Sequence, residues 1–347
     1  MFNSKTVLVL GAGASYEVGL PVGEQLLKAI CSLLDVKFER SSQQTHGDRM
    51  IIDALKQILN EGRDVTRLNE HIRKGLQIIS SAVQAISIDN IIDALEDEQV
   101  ELVGKLAIAR SIHSAERASK HFAVTENDPN AAPPLGMFFD TWYDSFTKIL
   151  TENVKISQLD RMFENVQIVS FNYDRCIEQY LPYSIANYYG LKHYELHSAV
   201  SNLIIHRPYG IVGDLPWKSG DGKGVPFGGG TIDDLISSAS QVRTFTEQVK
   251  DRAELNDIHE ALKWADKIVF LGFGYNQQNM ALLATDIGAP KKIVGTAHKI
   301  SNDNCMVIKD EIFSNFNIQD PNHQFNFKIV PSECRTLFND LSRLISS

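Results

Sequence analysis

Short apolar runs, each followed by glycine or polar residues, recur along the chain. The clearest are 6–10 (TVLVL), 166–170 (VQIVS) and 267–271 (KIVFL), with weaker candidates at 202–206 and 292–295. Runs of this length that are rich in β-branched residues are typical of strands covered on both faces of a parallel sheet. The pattern therefore predicts three central strands and two further candidates.

Helical periodicity fills the long segment between the first two strands. Apolar residues recur at i, i+3 and i+4 in 23–35, 49–61, 66–86 and 88–112, and helices are also expected at 137–150 and from about 231 to 264. Strands that alternate with helices and glycine turns predict an α/β fold with a Rossmann-like, doubly wound parallel sheet. We expect one domain over 1–347 that carries a large helical insertion at 24–165.

Composition narrows the class of protein. The chain has 347 residues, 43% of them hydrophobic, and a formal net charge of −9, which argues against nucleic acid or an anionic membrane as the main partner. No run approaches the ~20 apolar residues of a membrane helix. Its four cysteines form no C-x-x-C pair, so a structural zinc module is not expected. His193 and His197 have the i, i+4 spacing of two metal ligands but no nearby third ligand, so no other metal site is expected. These features favour a cytoplasmic globular protein with reduced thiols.

A glycine-rich loop, Gly11-Ala12-Gly13-Ala14-Ser15, directly follows the first predicted strand. Glycines at such a turn let the backbone approach a diphosphate without interference from Cβ atoms. Tyr16 occupies the place of the third glycine in the usual dinucleotide fingerprint. The loop predicts a nucleotide site, and a plain strand-to-helix turn is the alternative.

The continuation of this loop carries a family resemblance. GAGAS followed after three residues by Gly19-Leu20-Pro21 resembles the NAD-binding loop of sirtuin-like proteins, and 170–175 (SFNYDR) and 270–275 (FLGFGY) resemble two later elements of the same superfamily. The resemblance implies that NAD is bound by a set of residues at the strand ends: Gly11, Ala12, Gly13, Ser15, Leu20, Pro21, Asn172, Tyr209, Gly272, Gly274, Tyr275 and Thr296.

One departure from the deacylating sirtuins points to a different reaction. Paired cysteines are missing, and 87–92 (SIDNII) resembles a helix of bacterial sirtuin-like NAD hydrolases from antiphage defence. The alternative for these residues is an ordinary helix start with Ser87 as its N-cap. The resemblance implies NAD consumption, with NAD as substrate rather than as a resident cofactor.

Three residues are candidates for the catalysis of NAD hydrolysis. Asn172 has an amide that can orient a water and a ribose hydroxyl, and Asp174 could bind the nicotinamide carboxamide or act as a structural anchor. The family also uses a histidine as general base. His206 is the prediction for that role, because it ends an apolar run, and replacement of the histidine by Tyr209 is the alternative.

The sequence thus predicts an NAD glycohydrolase that releases nicotinamide and ADP-ribose, and the family resemblance implies that it is an antiphage effector. The alternatives are a sensor or scaffold that binds NAD or ADP-ribose without turnover, and a sirtuin-type protein deacylase. The family resemblance implies control by homo-oligomerisation or by a partner such as a HerA-type ATPase, with the helical insertion as the contact surface. No direct contact with nucleic acid or a membrane is expected.

Overall fold

A six-stranded, all-parallel sheet forms the centre of the computed structural model, which describes residues 1–39, 43–60, 65–122, 139–220, 222–250, 252–288, 291–319 and 326–347. In spatial order its strands are β5 (Ile204–His206), β4 (Val166–Ser170), β1 (Thr6–Leu10), β6 (Lys267–Leu271), β7 (Lys292–Thr296) and β8 (Phe327–Val330). The chain runs outward from β1 through β4 to β5 and then returns to β6 on the other side. This reversal creates a crevice at the carboxyl end of β1, where open α/β sheets bind their ligands.

Helices connect the strands. They are α1 (Ala12–Tyr16), α2 (Gly23–Leu34), α3 (Arg49–Leu59), α4 (Thr66–Ser81), α5 (Ile88–Leu95), α6 (Glu98–Ala118), α7 (Trp142–Thr151), α8 (Cys176–Tyr189), α9 (His197–Ser201), α10 (Ile232–Gln241), α11 (Phe245–Lys250), α12 (Arg252–Trp264), α13 (Gln277–Leu283), α14 (Asn302–Asn315) and α15 (Cys334–Ser346). Short 3-10 helices lie at Ile156–Arg161 and His193–Leu196, and β2 (Lys37–Glu39) pairs with β3 (Gln43–His46) in a separate two-stranded sheet.

Two hydrophobic layers cover the two faces of the sheet. Successive side chains of β1 alternate between them, with Val7 and Val9 in one layer and Leu8 and Leu10 in the other. All four are buried, as expected for a central strand covered on both sides. The predicted α/β fold with a Rossmann-like, doubly wound parallel sheet is therefore confirmed.

The helices between β1 and β4 divide over both faces. Helices α2 to α6 contribute apolar residues to the layer that contains Val7 and Val9. Helix α7 instead packs with α8 and α15 on the opposite face, through Trp142, Phe146 and Leu150. The segment 24–165, expected as one helical subdomain, thus supplies α2 to α6 to one face and α7 to the other.

Several predicted elements differ from the structure in their bounds. The helix expected over 88–112 is two helices, because Glu96 adopts a left-handed conformation (φ 47°) and the Asp97 side chain then caps α6. The segment from 231 to 264 is three helices, since Val242 is extended (ψ 132°) and ends α10. The run 202–206 contributes only the three residues of β5, and positions 137 and 138 of another expected helix lie outside the described residues. In the described part of the chain, no helix combines the length and apolar character needed to cross a membrane.

Candidate functional site

A cavity of about 870 Å³ opens at the carboxyl ends of β1, β4, β6 and β7. This volume lies within the ~300–1,000 Å³ typical of ligand pockets. The predicted site residues that line it are Gly11, Ala12, Gly13, Leu20, Pro21, Asn172, Asp174, Tyr209, Gly272, Gly274 and Thr296. Three further predicted residues, Ser15, His206 and Tyr275, are not among its lining residues.

Asn172 is held by two hydrogen bonds at the wall of this cavity. Its Nδ2 donates to the carbonyl oxygen of Gly11 at 3.0 Å and to Oγ of Ser15 at 3.2 Å. These contacts fix the orientation of the amide, because a carbonyl oxygen can only accept. The other amide atom, Oδ1, is buried without a hydrogen-bond partner in the described residues. A buried acceptor left unpaired costs about 1–3 kcal/mol, so a donor on a ligand that reached this oxygen would recover that cost.

Ser15 and Tyr275, two predicted NAD contacts, support the cavity from behind. Ser15 is buried and its Oγ lies 3.3 Å from the Tyr143 hydroxyl, in addition to its contact with Asn172. The hydroxyl of Tyr275 donates to the carbonyl oxygen of Thr296 at 3.1 Å. Both hydroxyl groups therefore hold residues that line the cavity.

The loop that carries Asn172 is fixed from outside by Arg207. One guanidinium nitrogen of Arg207 donates to the carbonyl oxygens of Asn172 and Asp174, both at 3.0 Å, and the other pairs with Glu178 at 2.6 Å. Oδ1 of Asp174 accepts from the backbone amide of Cys176 at 3.0 Å. Burial raises the pKa of Asp174. This bond fixes the start of α8, which agrees with the anchor role considered for Asp174. Because Asp174 also lines the cavity, contact with the nicotinamide carboxamide stays a prediction.

Gly11 and Gly13 permit a close contact between two loops of the protein itself. A Cβ atom on Gly11 would lie 2.6 Å from the carbonyl oxygen of Gly272, and one on Gly13 would lie 2.8 Å from the Gly272 Cα. The Gly13 amide donates to the Gly272 carbonyl oxygen at 3.0 Å, and the Gly11 amide donates to Leu271. Sequence reasoning attributed these glycines to a bound diphosphate. The structure gives them an additional reason, the packing of the loop after β1 against the loop after β6.

The two candidates for the catalytic base occupy different places. His206 ends β5, the edge strand, where its Nε2 lies 3.4 Å from Oε1 of Gln167. Burial lowers the pKa of His206. Tyr209 does line the cavity, and its hydroxyl donates to Oδ1 of Asn279 at 2.7 Å. Burial raises the pKa of Tyr209, so its hydroxyl keeps its proton and cannot serve as a base at neutral pH.

The inserted segment contributes a carboxyl group that was not among the predicted site residues. Ser87 and Asp89, from the start of α5, line the cavity. Ser87 is indeed the N-cap, since its Oγ accepts from the Asn90 amide at 3.2 Å. Oδ1 of Asp89 accepts a hydrogen bond from the hydroxyl of Tyr173. The Ser-Ile-Asp sequence was the available signal, but sequence alone did not place it opposite the loop after β4.

A completely buried ion pair joins the insertion to the loop after β4. The side chains of Glu116 in α6 and Arg175 are both 0% exposed. Glu116 accepts from the Arg175 backbone amide at 3.1 Å, from Nε at 3.0 Å and from the Gly228 amide at 2.8 Å. Arg175 also donates to the carbonyl oxygens of Val225 and Pro226. This network fixes the residue that follows Asp174.

No protein-family model matches the sequence, and no curated protein matches it significantly. Within the described residues, no three His, Cys, Asp or Glu side chains come together in a group that could hold a metal ion.

Proposed function

We propose that the cavity binds NAD and that the chain hydrolyses it to nicotinamide and ADP-ribose. The observation that carries the proposal is the Asn172 amide, whose Nδ2 is tied to Gly11 and Ser15 while Oδ1 is buried and unpaired at the wall of the cavity. A polar atom held in this way is suited to a ribose hydroxyl or to a water molecule. The position of the cavity at the sheet's switch point also favours a nucleotide.

The chemistry needs few groups from the protein. The bond between nicotinamide and ribose is already activated, because nicotinamide leaves as a neutral molecule, and the transition state has oxocarbenium character. The protein must orient the ribose and a water molecule and stabilise the positive charge that develops. Asn172 is the residue proposed to orient them. At Gly274, which lines the cavity, an added Cβ would meet nothing within 4 Å, so the wall there leaves room for the substrate.

The second candidate is a protein that binds NAD or ADP-ribose without turnover. Two observations favour it: His206 does not line the cavity, and the hydroxyl of Tyr209 is engaged with Asn279. We also propose that the chain depletes NAD in antiphage defence and that self-assembly or an ATPase partner controls its activity. This proposal rests only on the resemblance of the motifs at 11–23 and 87–92 to those of sirtuin-like proteins.

Incubation of the purified chain with NAD separates the two candidates. If chromatography of the reaction shows nicotinamide and ADP-ribose released in equal amounts, hydrolysis is supported. Calorimetric binding of intact NAD without products supports the second candidate. The absence of both binding and turnover would refute the proposed function.

Replacing Asn172 by alanine tests the assigned residue. Loss of one preorganised polar group at a reacting centre typically costs 10²- to 10³-fold in rate, and we expect that loss in nicotinamide release. Asn202→Ala is the matched control, because Asn202 is exposed and its side chain bonds only to the Asp160 carbonyl oxygen in the described hydrogen bonds. Near-normal turnover by a folded Asn172→Ala variant would overturn this role.

A further inference from the structure

Five carboxyl side chains line the cavity in the described part of the chain: Glu17, Asp89, Asp140, Asp174 and Glu333. A hydrolase that activates water needs a group that can accept a proton near the reacting carbon. His206 lies outside the cavity, the hydroxyl of Tyr209 is engaged with Asn279, and His298, which does line the cavity, is exposed to solvent. The carboxyl groups are therefore the candidates for that task.

Four of the five are poorly suited to it. Both oxygens of Glu17 accept backbone amides, Arg335 at 2.8 Å and Trp142 at 2.7 Å. Asp174 accepts the amide that begins α8. Asp140 and Glu333 are exposed to solvent, and Asp140 is paired with Arg335 at 2.6 Å. Asp140 and Glu333 therefore lack a sheltered position, and the carboxylates of Glu17 and Asp174 already hold backbone amides.

Asp89 differs from them in its position. It comes from the inserted segment, lines the cavity and keeps part of its surface accessible. Its Oδ1 accepts from the Tyr173 hydroxyl, and Tyr173 directly follows Asn172 in the chain. This bond sets the carboxyl group beside the loop that carries the orienting amide. Asn90 holds the same helix in place, since its Nδ2 donates to Gln278 at 2.9 Å.

We propose that Asp89 is the general base of NAD hydrolysis in this chain, an inference that rests on the proposed function. Asp89 takes a proton from water as the water oxygen bonds to C1′ of the nicotinamide ribose. The C1′–N bond breaks at the same time, and its electron pair goes to the pyridine nitrogen, which gives neutral nicotinamide. The proton on Asp89 then passes to solvent. The net reaction consumes NAD⁺ and water and yields nicotinamide, ADP-ribose and one proton.

The surroundings of Asp89 set the pH range in which it can act. Burial raises its pKa, and the hydrogen bond from Tyr173 lowers it in part. Tyr173 donates a hydrogen bond to Asp89, Tyr209 interacts with it electrostatically, and Asp93 lies one turn along the same helix. The helices packed against α5 carry the ion pairs of Lys105 with Glu101 and Glu247 and of Lys74 with Asp97. Because Asp89 acts as a base only when ionised, activity should fall as the pH drops through its raised pKa.

Asp89→Asn is the first test. Asp93→Asn is the matched control, because Asp93 lies one turn further along α5 and is not among the residues that line the cavity. General-base catalysis contributes about 10²- to 10⁴-fold. We therefore expect Asp89→Asn to lose at least 100-fold in kcat for nicotinamide release, with calorimetric NAD affinity within about threefold of the parent chain. Turnover by Asp89→Asn within tenfold of the parent would overturn the inference and leave the proposed function intact. A parent chain that releases no nicotinamide would overturn both.

Tyr173→Phe is the second test, and it does not require loss of the carboxyl group. Removing the hydroxyl takes away a hydrogen bond that favours ionised Asp89, so its pKa should rise further. The acid limb of the kcat profile should then move to higher pH. A purely structural role for Asp89 would lower stability without moving that limb, and an unmoved limb in an active Tyr173→Phe variant would contradict the proposal.

Discussion

Replacing Glu116 by glutamine would leave the guanidinium of Arg175 without a counter-charge inside the protein. Both side chains are completely buried, and the Glu116 carboxylate accepts four hydrogen bonds, three from Arg175 and one from the Gly228 amide. Glutamine keeps the shape of the side chain but turns one acceptor oxygen into an NH₂ donor. That donor would face other donors in a space that water does not enter.

The expected cost is large for a single substitution. Breaking a buried ion pair by removing one partner typically costs about 3–5 kcal/mol, against a total stability of roughly 5–15 kcal/mol. The exposed pair of Arg335 and Asp140 provides the comparison, since its side chains are 44% and 69% exposed. Asp140→Asn should cost less than about 1 kcal/mol, because solvent screens an exposed pair.

Urea unfolding followed by tryptophan fluorescence measures both variants. With a urea m-value of about 3 kcal/mol/M, the Glu116→Gln midpoint should fall by roughly 1 to 1.7 M. The Asp140→Asn midpoint should stay within about 0.3 M of the parent on the same scale. Equal shifts for the two variants, or no shift for Glu116→Gln, would refute the conclusion that the ion pair of Arg175 and Glu116 stabilises the contact between the insertion and the loop after β4.

Two further comparisons test the site and its support. Gly11→Ala should lower the unfolding free energy by about 1–3 kcal/mol and lower the melting temperature, because the added Cβ would press on the Gly272 carbonyl oxygen. Gly274→Ala should melt near the parent temperature, since an added Cβ there meets nothing within 4 Å. Equal melting shifts for the two variants would contradict the contact between Gly11 and Gly272. His206→Ala should retain a rate of nicotinamide release within about twofold of the parent chain, since the side chain does not line the cavity. Tyr209→Phe should lower the unfolding free energy measured with denaturant by about 1 kcal/mol, because the hydrogen bond to Asn279 is lost. A large loss of turnover in His206→Ala would restore the histidine as the base.

The central strands could be predicted to the residue because they are continuous apolar runs. β1, β4 and β6 have the bounds that the sequence indicates. β8 was missed, since it is a half-buried edge strand in which Lys328 interrupts the apolar residues. The exposed β2 and β3 have no apolar pattern at all. Elements stabilised by pairing rather than by burial leave little trace in hydrophobicity.

The candidate site was predictable where it depends on the ends of central strands. Asn172 lies where its strand predicts, two residues after β4. The histidine was placed by its position at the end of an apolar run, but β5 is an edge strand and the cavity wall is formed by Tyr209, three residues further on. Asp89 enters the cavity from the inserted segment, so its place depends on tertiary packing that no local pattern encodes.

The contact among Gly11, Gly13 and Gly272 has a consequence for the thermodynamics of ligand entry. A direct backbone hydrogen bond and close packing within the protein hold these loops to one another. Ordering a flexible loop would cost about 1–2 kcal/mol of conformational entropy for each residue that becomes fixed. Because these loops are held in place by the protein itself, a ligand that binds here need not supply the free energy to order them. More of its contact energy then remains as affinity.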